Sequence, residues 1–422
     1  MRDLAIFRII KRVPIVVGHI SCPSGDLPRF SYAQSYLEDP QAIPLSQTLP
    51  LQDEPFDEQI LRPYFEGLLP EGATRNATVA QLRIHDEDYL SILASDGLEC
   101  IGDVVAAPVD EPVTLDEGSY ANLTSDEIDA ILFGLDSLVA SNNASRLLLP
   151  GTQGKVGLAH NPKDPMDTGW SRPLGGAAST HILKVSDMDR IAEFELICME
   201  AAKRCGLRAA QTSAMRVAGK VVCVSERFDR NVDAHEGTLC VERFHQEDMA
   251  QAFGVTPRSK YVELEGGSYR RISQLLYRHS TTVLNDIEEL ARVAIFNYLI
   301  GNCDNHLKNL SVTYEGAHLR LAPAYDLVCT TFFEQYSRDM GMRIGHTRNI
   351  DGVEGEDFIA LAKDIGLGPR RMRTLCANIA DSIIAAVCDA GDALKDVSPT
   401  LPYSAEDIAD DLSPRLTVLR TV

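Results

Sequence analysis

"IFNYLIGNCDNHLKNLSV", from Ile295 to Val312, sets an almost wholly apolar run directly before a dense group of polar side chains. Ile295 to Ile300 reads as the end of a buried helix, and Gly301 can close it by taking a left-handed conformation. Asn302, Asp304, Asn305, His306, Lys308 and Asn309 follow before a strand-like Leu-Ser-Val. A helix cap or turn uses one or two such residues, so the crowding asks for a chemical reason. Downstream, "LSVTY", "EGA" and "HLRLA" read as two short strands joined by a tight connection, and "LAPAYDL" then supplies a second acid, Asp326. A phosphoryl-transfer site needs a carboxylate to orient or deprotonate a hydroxyl, and an amide plus a carboxylate to hold Mg2+ on ATP phosphates. Asp304 and Asn309, five residues apart on one loop with Asp326 beyond a hairpin, offer that set without spelling H-R-D or D-F-G.

Such a site needs a phosphate cover, an anchoring lysine and an adenine slot from the N-terminal side. "LPGTQGKVGLA" (Leu149 to Ala159) carries Gly151, Gly154 and Gly157 ahead of a short strand. It is not a Walker loop, because Gly151 to Lys155 is too short and Val156 stands where Ser or Thr is required; a plain hairpin turn is the alternative. "STHILKVSD" places Lys184 among Ile182, Leu183 and Val185. A lysine there either snorkels to water or faces a cleft, where it would pair the α- and β-phosphates with Glu195 on the next helix orienting it. "VCVSERFDR" ends a strand at Glu226, Arg227 and Phe228, where a hinge would present backbone groups to adenine. His306 is expected to brace its loop, and Lys308 either neutralises phosphate or sits in solvent.

Composition narrows the class. The chain has 422 residues, enough for two or three domains, and a formal net charge of −21, so most of its surface should repel nucleic acid. Its ten cysteines include no C-x-x-C pair, which speaks against zinc or a disulfide framework and for reduced thiols in a cytoplasm. The start "MRDLAIFRIIKRVPIVVGHI" is interrupted by charges and Pro14, unlike a signal peptide, and about 18 consecutive apolar residues, as a membrane span needs, occur nowhere. Residues 1–115 read as a small mixed α/β domain rich in short strands, ending in the acidic "APVDEPVTLDEGS"; 116–230 as mixed sheet with one prominent helix; and 231–422 as largely helical. The expected class is α+β.

Together these motifs resemble the HipA-type serine/threonine kinases, the toxin half of HipBA toxin–antitoxin systems. The resemblance spans nearly the whole chain: "LSQTLPL" and "FEGLLPEGATR" early, "LPGTQGK", "THILKVS" and "SERFDR" in the middle, "EDMAQAFG", "KYVE", "NYLIGNCDNHLKNLSV" and "LAPAYDL" later. It implies a two-lobed protein-kinase-like fold behind a small N-terminal domain, using ATP and Mg2+ to phosphorylate protein Ser or Thr. Carried onto matching positions, Asp304 is the catalytic base, Asn309 and Asp326 are the Mg2+ ligands, and Lys184 is the phosphate-binding lysine. Gly151, Thr152, Gln153, Gly154 and Lys155 fall on the phosphate loop, with Glu226 and Phe228 at the adenine hinge. It also implies a translation-related substrate such as an aminoacyl-tRNA synthetase, growth arrest, and a small helix-turn-helix antitoxin through which DNA is contacted indirectly. Leu147, Leu148 and Leu149 replace the neighbourhood of the family's autophosphorylated serine, so any such modification is expected at Ser145 or Thr152.

Two alternatives stay open on the residues alone. Asp304-x-His306-x-x-Asn309 also resembles the loop of phosphatidylinositol-kinase-like enzymes, although no polybasic run suited to an anionic membrane accompanies it. A catalytically silent co-repressor that only grips its antitoxin is the other, against which stands the joint presence of Lys184, Asp304, Asn309 and Asp326.

Overall fold

The alternation of "LAIFRII" puts Leu4, Ile6 and Arg8 on one face of a strand, and strand Leu4–Ile10 lies inside a five-stranded sheet. In this computed structural model, which describes residues 3–22, 27–110, 118–133, 154–186, 188–235 and 238–422, the chain forms two compact units. One comprises Met1–Ser186 with Met215–Arg258, the other Asp187–Ala214 with Ser259–Val422. The units are thus drawn differently from the stretches 1–115, 116–230 and 231–422. Helix Ile191–Arg204 joins the second unit because it packs on helices Pro369–Ala393 and Leu401–Leu419. Residues 231–258 stay in the first because their polar side chains are tied into it, as described below.

The first unit holds a five-stranded and a six-stranded sheet besides the two-stranded pair described below. The five-stranded one runs Phe56–Asp57, Arg29–Tyr32, Val13–Ser21, Leu4–Ile10, Val104–Pro108, antiparallel throughout. Its apolar face, with Leu4, Ile6, Val17, Ile20 and Phe30, packs under helices Glu58–Gly67 and Tyr89–Asp96. Arg8, on the same face, is buried yet paired: it donates to Asp103 Oδ2 at 2.7 Å and to the Tyr36 hydroxyl at 3.2 Å. Burial works to raise the Asp103 pKa, but His245 and Arg8 outweigh it and bring the carboxyl down to about 2. The six-stranded sheet runs Thr212–Val217, Lys220–Glu226, His181–Val185, Gly154–His160, Trp170–Leu174, Ser119–Asn122. Val156, Leu158, Leu183, Val222 and Val224 fill one of its faces, together with Ile128, Ile131 and Leu132 of helix Ser125–Phe133.

Polar groups lock these two sheets together. Glu99 accepts from Arg227 at 2.7 Å and from the Ser179 hydroxyl at 2.6 Å. Asp229 accepts from the Gly102 amide at 2.6 Å, from Arg230 at 2.8 Å and from Gln246 at 3.0 Å. Burial disfavours the Asp229 anion, but Arg227 and Arg230 hold its carboxyl well below the usual carboxylate range. A second lock joins two of the quoted motifs: Glu247 of "EDMAQAFG", fully buried, accepts from the Ser46 hydroxyl at 2.5 Å and the Gln47 amide at 3.1 Å of "LSQTLPL". Antiparallel strands Arg230–His235 and Thr238–Arg243 lie between these contacts, in a stretch the sequence suggested would be turning helical.

The second unit is mostly helical, as expected, with two hairpins set among the helices. Helix Val283–Leu299 is its pillar, buried from Leu290 to Leu299 except at Arg292. Strands Ser311–Glu315 and His318–Leu321 form the hairpin foreseen after the polar loop, with Gly316 in the left-handed turn at φ +61°. Strands Asp339–Ile344 and Thr347–Asn349 make another, which helical periodicity had hidden. Helix Pro369–Ala393 is long and apolar enough to cross a membrane by length and composition, but half of that apolar window is buried. Met372, Leu375, Ile379, Ile383 and Val387 form its buried stripe, and a Cβ at Gly391 would stand 2.6 Å from that of Ala405 on helix Leu401–Leu419. No disulfide joins any of the ten cysteines, all of which are among the described residues.

Replacing Glu99 by Ala leaves buried Arg227 with Asp229 alone and buried Arg243 without the Glu99 carboxylate. The expected loss is about 3–5 kcal/mol in the first unit. Urea unfolding followed by Trp170 fluorescence, a buried reporter in that unit, checks it.

Candidate active site

Helix Val283–Leu299 ends inside the protein, where its last carbonyls need donors. Arg415, itself buried, donates to the Leu299 carbonyl at 3.0 Å, and the Thr330 hydroxyl donates to the Gly301 carbonyl at 2.9 Å. Gly301 turns the chain at φ +73°, and a Cβ there would fall 1.9 Å from Thr331 Oγ1. Only glycine fits that corner. Beyond it, the Cys303 amide donates back to Thr330 Oγ1 at 2.9 Å, and the Gly341 amide to the Cys303 carbonyl at 2.9 Å.

The loop that follows is organised by Asn302. Its Nδ2 donates to Asn297 Oδ1 at 2.7 Å and to the Asp326 carbonyl at 3.3 Å, while its Oδ1 accepts from the Asp304 amide at 3.1 Å. One buried side chain therefore joins the segments bearing the two acids. Asp326 sits at φ +59°, a left-handed conformation that Asp tolerates better than most residues. Burial, then the negative charges of Asp304 and Asp326, push up the Tyr336 phenol, so both carboxylates act on the same neighbour. Asn309 Nδ2 donates to the Asp304 carbonyl at 2.9 Å, which turns Oδ1 of that amide to the other side. The loop is further closed by the His306 amide on the Asp304 carbonyl at 2.9 Å and the Asn309 amide on the His306 carbonyl at 2.9 Å.

The bracing residues separate from the chemical ones. Asn305 is buried and donates to the Tyr269 hydroxyl at 3.0 Å. His306 is buried with its ring edge-on to Tyr261, centroids 4.9 Å apart. Lys308 is buried rather than solvated, and its carbonyl accepts from the Tyr325 hydroxyl at 2.7 Å. Tyr325, which also meets Ser311 Oγ at 2.6 Å, carried no role in the sequence reading although it adjoins Asp326 in "LAPAYDL". Arg415 and Thr330 were equally invisible, since nothing local marks a residue that caps a helix far away in the chain.

In the first unit, Lys155 and Lys184 face each other directly across antiparallel strands Gly154–His160 and His181–Val185, with Cys223 opposite Lys184 on its other side. Directly opposed residues share a sheet face, here the one away from Val156 and Leu183. Lys184 is buried, so the snorkelling alternative does not hold. Gly154 and Lys155 belong to the strand rather than to a loop; Gly151, Thr152 and Gln153, with Ser145, lie outside the described residues. Glu226 ends strand Lys220–Glu226 exposed, and Phe228 is half-buried beyond it. Between them Arg227 turns inward to Glu99 and Asp229, so that part of "SERFDR" is an internal tie. Lys184 and Glu195 lie in different units.

The donors present in the second unit suit a hard cation. Asp326 has carboxylate and Asn309 amide oxygen, the ligand type that Mg2+ takes. Among the described residues no group of three or more His, Cys, Asp or Glu side chains could hold a metal. An amide-plus-carboxylate pair is a different arrangement.

A family model for the HipA-like C-terminal domain matches residues 147–387, and one for the HipA N-terminal domain matches residues 14–107. The chain belongs to the HipA family. A Sinorhizobium fredii protein that carries a provisional kinase name, Y4mE, is 33% identical over 412 residues, 94% of each chain. The serine/threonine-protein kinase toxin HipA of Shewanella oneidensis is 25% identical over 395 residues, 89% of this chain and 87% of its own. In structure, the HipA chain of a Shewanella oneidensis complex of HipA, HipB and operator DNA superposes with a TM-score of 0.81 at 21% identity, covering 99% of both chains. That likeness establishes the α+β HipA fold.

Gly301→Ala tests the corner on which the loop turns. A left-handed alanine costs about 1–2 kcal/mol, and the clash with Thr331 adds about 1–3 kcal/mol. Thr331→Ala in the same chain removes the contact with Oγ1 but leaves those with Thr331 Cβ at 2.9 Å and the Arg415 guanidinium at 2.8 Å, and it loses the hydrogen bond to Asp411, so the denaturant midpoint should recover only a fraction of the clash.

Proposed function

We propose that the chain is an ATP- and Mg2+-dependent serine/threonine protein kinase acting in the cytoplasm as the toxin of a toxin–antitoxin pair. The observation that carries this reading is Asn302, whose one amide binds the Asp304 amide and the Asp326 carbonyl and so fixes the two acids relative to each other. Family membership supports kinase chemistry. The lysine pair Lys155 and Lys184 supports a polyanionic substrate such as ATP.

In this reading Asp304 accepts the hydroxyl proton of the acceptor Ser or Thr as that oxygen bonds to the γ-phosphorus. The bond from the γ-phosphorus to the bridging β-phosphate oxygen breaks, and ADP leaves. Asn309 and Asp326 would hold Mg2+, which would supply neutralisation of charge on the phosphate oxygens. Lys184 holds the α- and β-phosphates with Lys155 beside it, while Glu226 and Phe228 present backbone to adenine. Lys308, buried in the loop, contributes positive charge near the transferred group.

The acceptor is assigned to a protein of the translation machinery, and the partner to a small helix-turn-helix antitoxin. The assembly of the Shewanella HipA with HipB and operator DNA supports that partner. A net charge of −21 fits DNA contact through the antitoxin rather than by this chain.

Asp304→Ala should lower phosphoryl transfer from γ-labelled ATP on the order of a thousandfold. Its affinity for ATP, read by calorimetry, should stay near that of the wild type, whereas Asp326→Ala should lose the magnesium dependence of ATP binding. Equal labelling by wild type and Asp304→Ala would remove Asp304 from the role of base. Phosphoproteomics after brief induction of wild type and Asp304→Ala identifies the acceptor.

A further inference from the structure

Tyr261, in the quoted "KYVE" motif, has no part in the chemistry described so far. Its phenol donates a short hydrogen bond to Asp304 Oδ1. The residue lies in a turn after the helical segment Pro257–Ser259 and is 42% exposed, so burial alone does not explain its position. It is nonetheless held from several sides. The Arg348 guanidinium donates to the Tyr261 carbonyl at 2.9 Å, and the Leu307 amide donates to the neighbouring Lys260 carbonyl at 3.3 Å. The ring stands edge-on to His306 at 84°, and Lys260 Nζ lies 5.7 Å from the ring centre. Glu263 fastens the far end of the motif by accepting from the amides of Ser268 at 2.5 Å and Arg343 at 3.1 Å.

A side chain that was only a movable cover over Asp304 would not need its backbone tied to the polar loop and to the hairpin beyond it. We infer that Tyr261 is a positioning residue: its hydroxyl fixes the plane of the Asp304 carboxylate, and His306 fixes Tyr261 in turn. Resting on the kinase reading above, this assigns the otherwise unexplained His306 ring to the outer end of a brace that ends on the base. A carboxylate turns freely about its last bond unless its oxygens are held, and a base must present one oxygen to the acceptor's hydroxyl at hydrogen-bond distance. The phenol holds Oδ1 and so sets the direction of Oδ2. Loss of orientation at the reacting atom lowers the rate of the step without altering how ATP is bound.

The test compares Tyr261→Phe, which keeps the ring and its contact with His306, with wild type in γ-labelled ATP and Mg2+. Label transfer to casein and ADP formation are both read. The expected result is a kcat lower by about tenfold with KM for ATP and the melting temperature unchanged. In the Asp304→Asn background the same substitution should have no further effect on ADP formation, because the group it positions is gone. A merely structural tyrosine would instead move the melting temperature, or lower activity equally in both backgrounds, and either result overturns the inference. So does Tyr261→Phe with wild-type kcat. Absence of transfer and of ADP formation in the wild type itself overturns the kinase reading and this inference with it, a result distinct from failure of the tyrosine alone.

Discussion

Everything in the second unit's polar loop depends on how a buried helix ends. Helix Val283–Leu299 reaches its last turn in the interior, where unsatisfied carbonyls cost as much as lost hydrogen bonds. The guanidinium of Arg415 and the hydroxyl of Thr330 meet that demand at Leu299 and Gly301. Arg415 is in turn held by Asp411, which also accepts from the Thr331 hydroxyl at 2.6 Å. The donors that cap the helix thus belong to the segment after Asp326 and to helix Leu401–Leu419, so closing the helix also fastens the loop that leaves it. Arg415 at the C-terminal end additionally matches the negative end of the helix dipole.

The first unit solves a related problem with charge. Glu99, Asp103, Asp229 and Glu247 are all buried, and each is surrounded by donors from elsewhere in the unit. Burying ions is costly, and a buried pair adds little net stability compared with apolar packing. What it does impose is geometry, because each carboxylate is satisfied only when specific arginines and amides from distant segments arrive together. Here that requirement acts on irregular stretches, Glu99 to Asp103 and Arg227 to Arg230, whose backbone carbonyls also need partners. Arg227 and Arg230 both donate to the Cys100 carbonyl at 3.1 Å, so the same side chains satisfy an ion and a loop.

How much of this could be read in advance follows from the range of the interactions. The helix, the polar loop, the hairpin at Ser311–Glu315 and Asp326 were legible because each is signalled by residues close in sequence: apolar periodicity, a glycine, a tight turn. The strand-rich and helix-rich stretches supplied the α+β class. Lys184 looked like a strand lysine with two possible fates, and only the strand pairing with Lys155 shows its face and its burial. Arg227 was read as part of an exposed hinge because its partners, Glu99 and Ser179, are far away in the sequence. The hairpin at Arg230–His235 was missed for a similar reason, since Arg230 is buried only through partners in other segments, and that at Asp339–Ile344 because it lies in a stretch read as largely helical. Several quoted motifs, "LSQTLPL" and "EDMAQAFG" among them, are internal locks, so a distinctive motif marked architecture as often as chemistry.

The same logic explains why a left-handed aspartate is tolerated at Asp326. A non-glycine residue in that region of backbone space persists when its surroundings determine it, and such residues gather where a side chain must be aimed. Asn302 holds the Asp326 carbonyl from one side. Tyr325, the preceding residue, grips the Lys308 carbonyl and meets Ser311, tying the hairpin's exit back to its entrance. With the backbone pinned before and at Asp326, its φ of +59° sets the direction in which the side chain leaves the backbone. The hairpin between Asn309 and Asp326 therefore acts as a spacer of fixed length, and the relation between the two acids rests on the amide of Asn302 and the phenol of Tyr325.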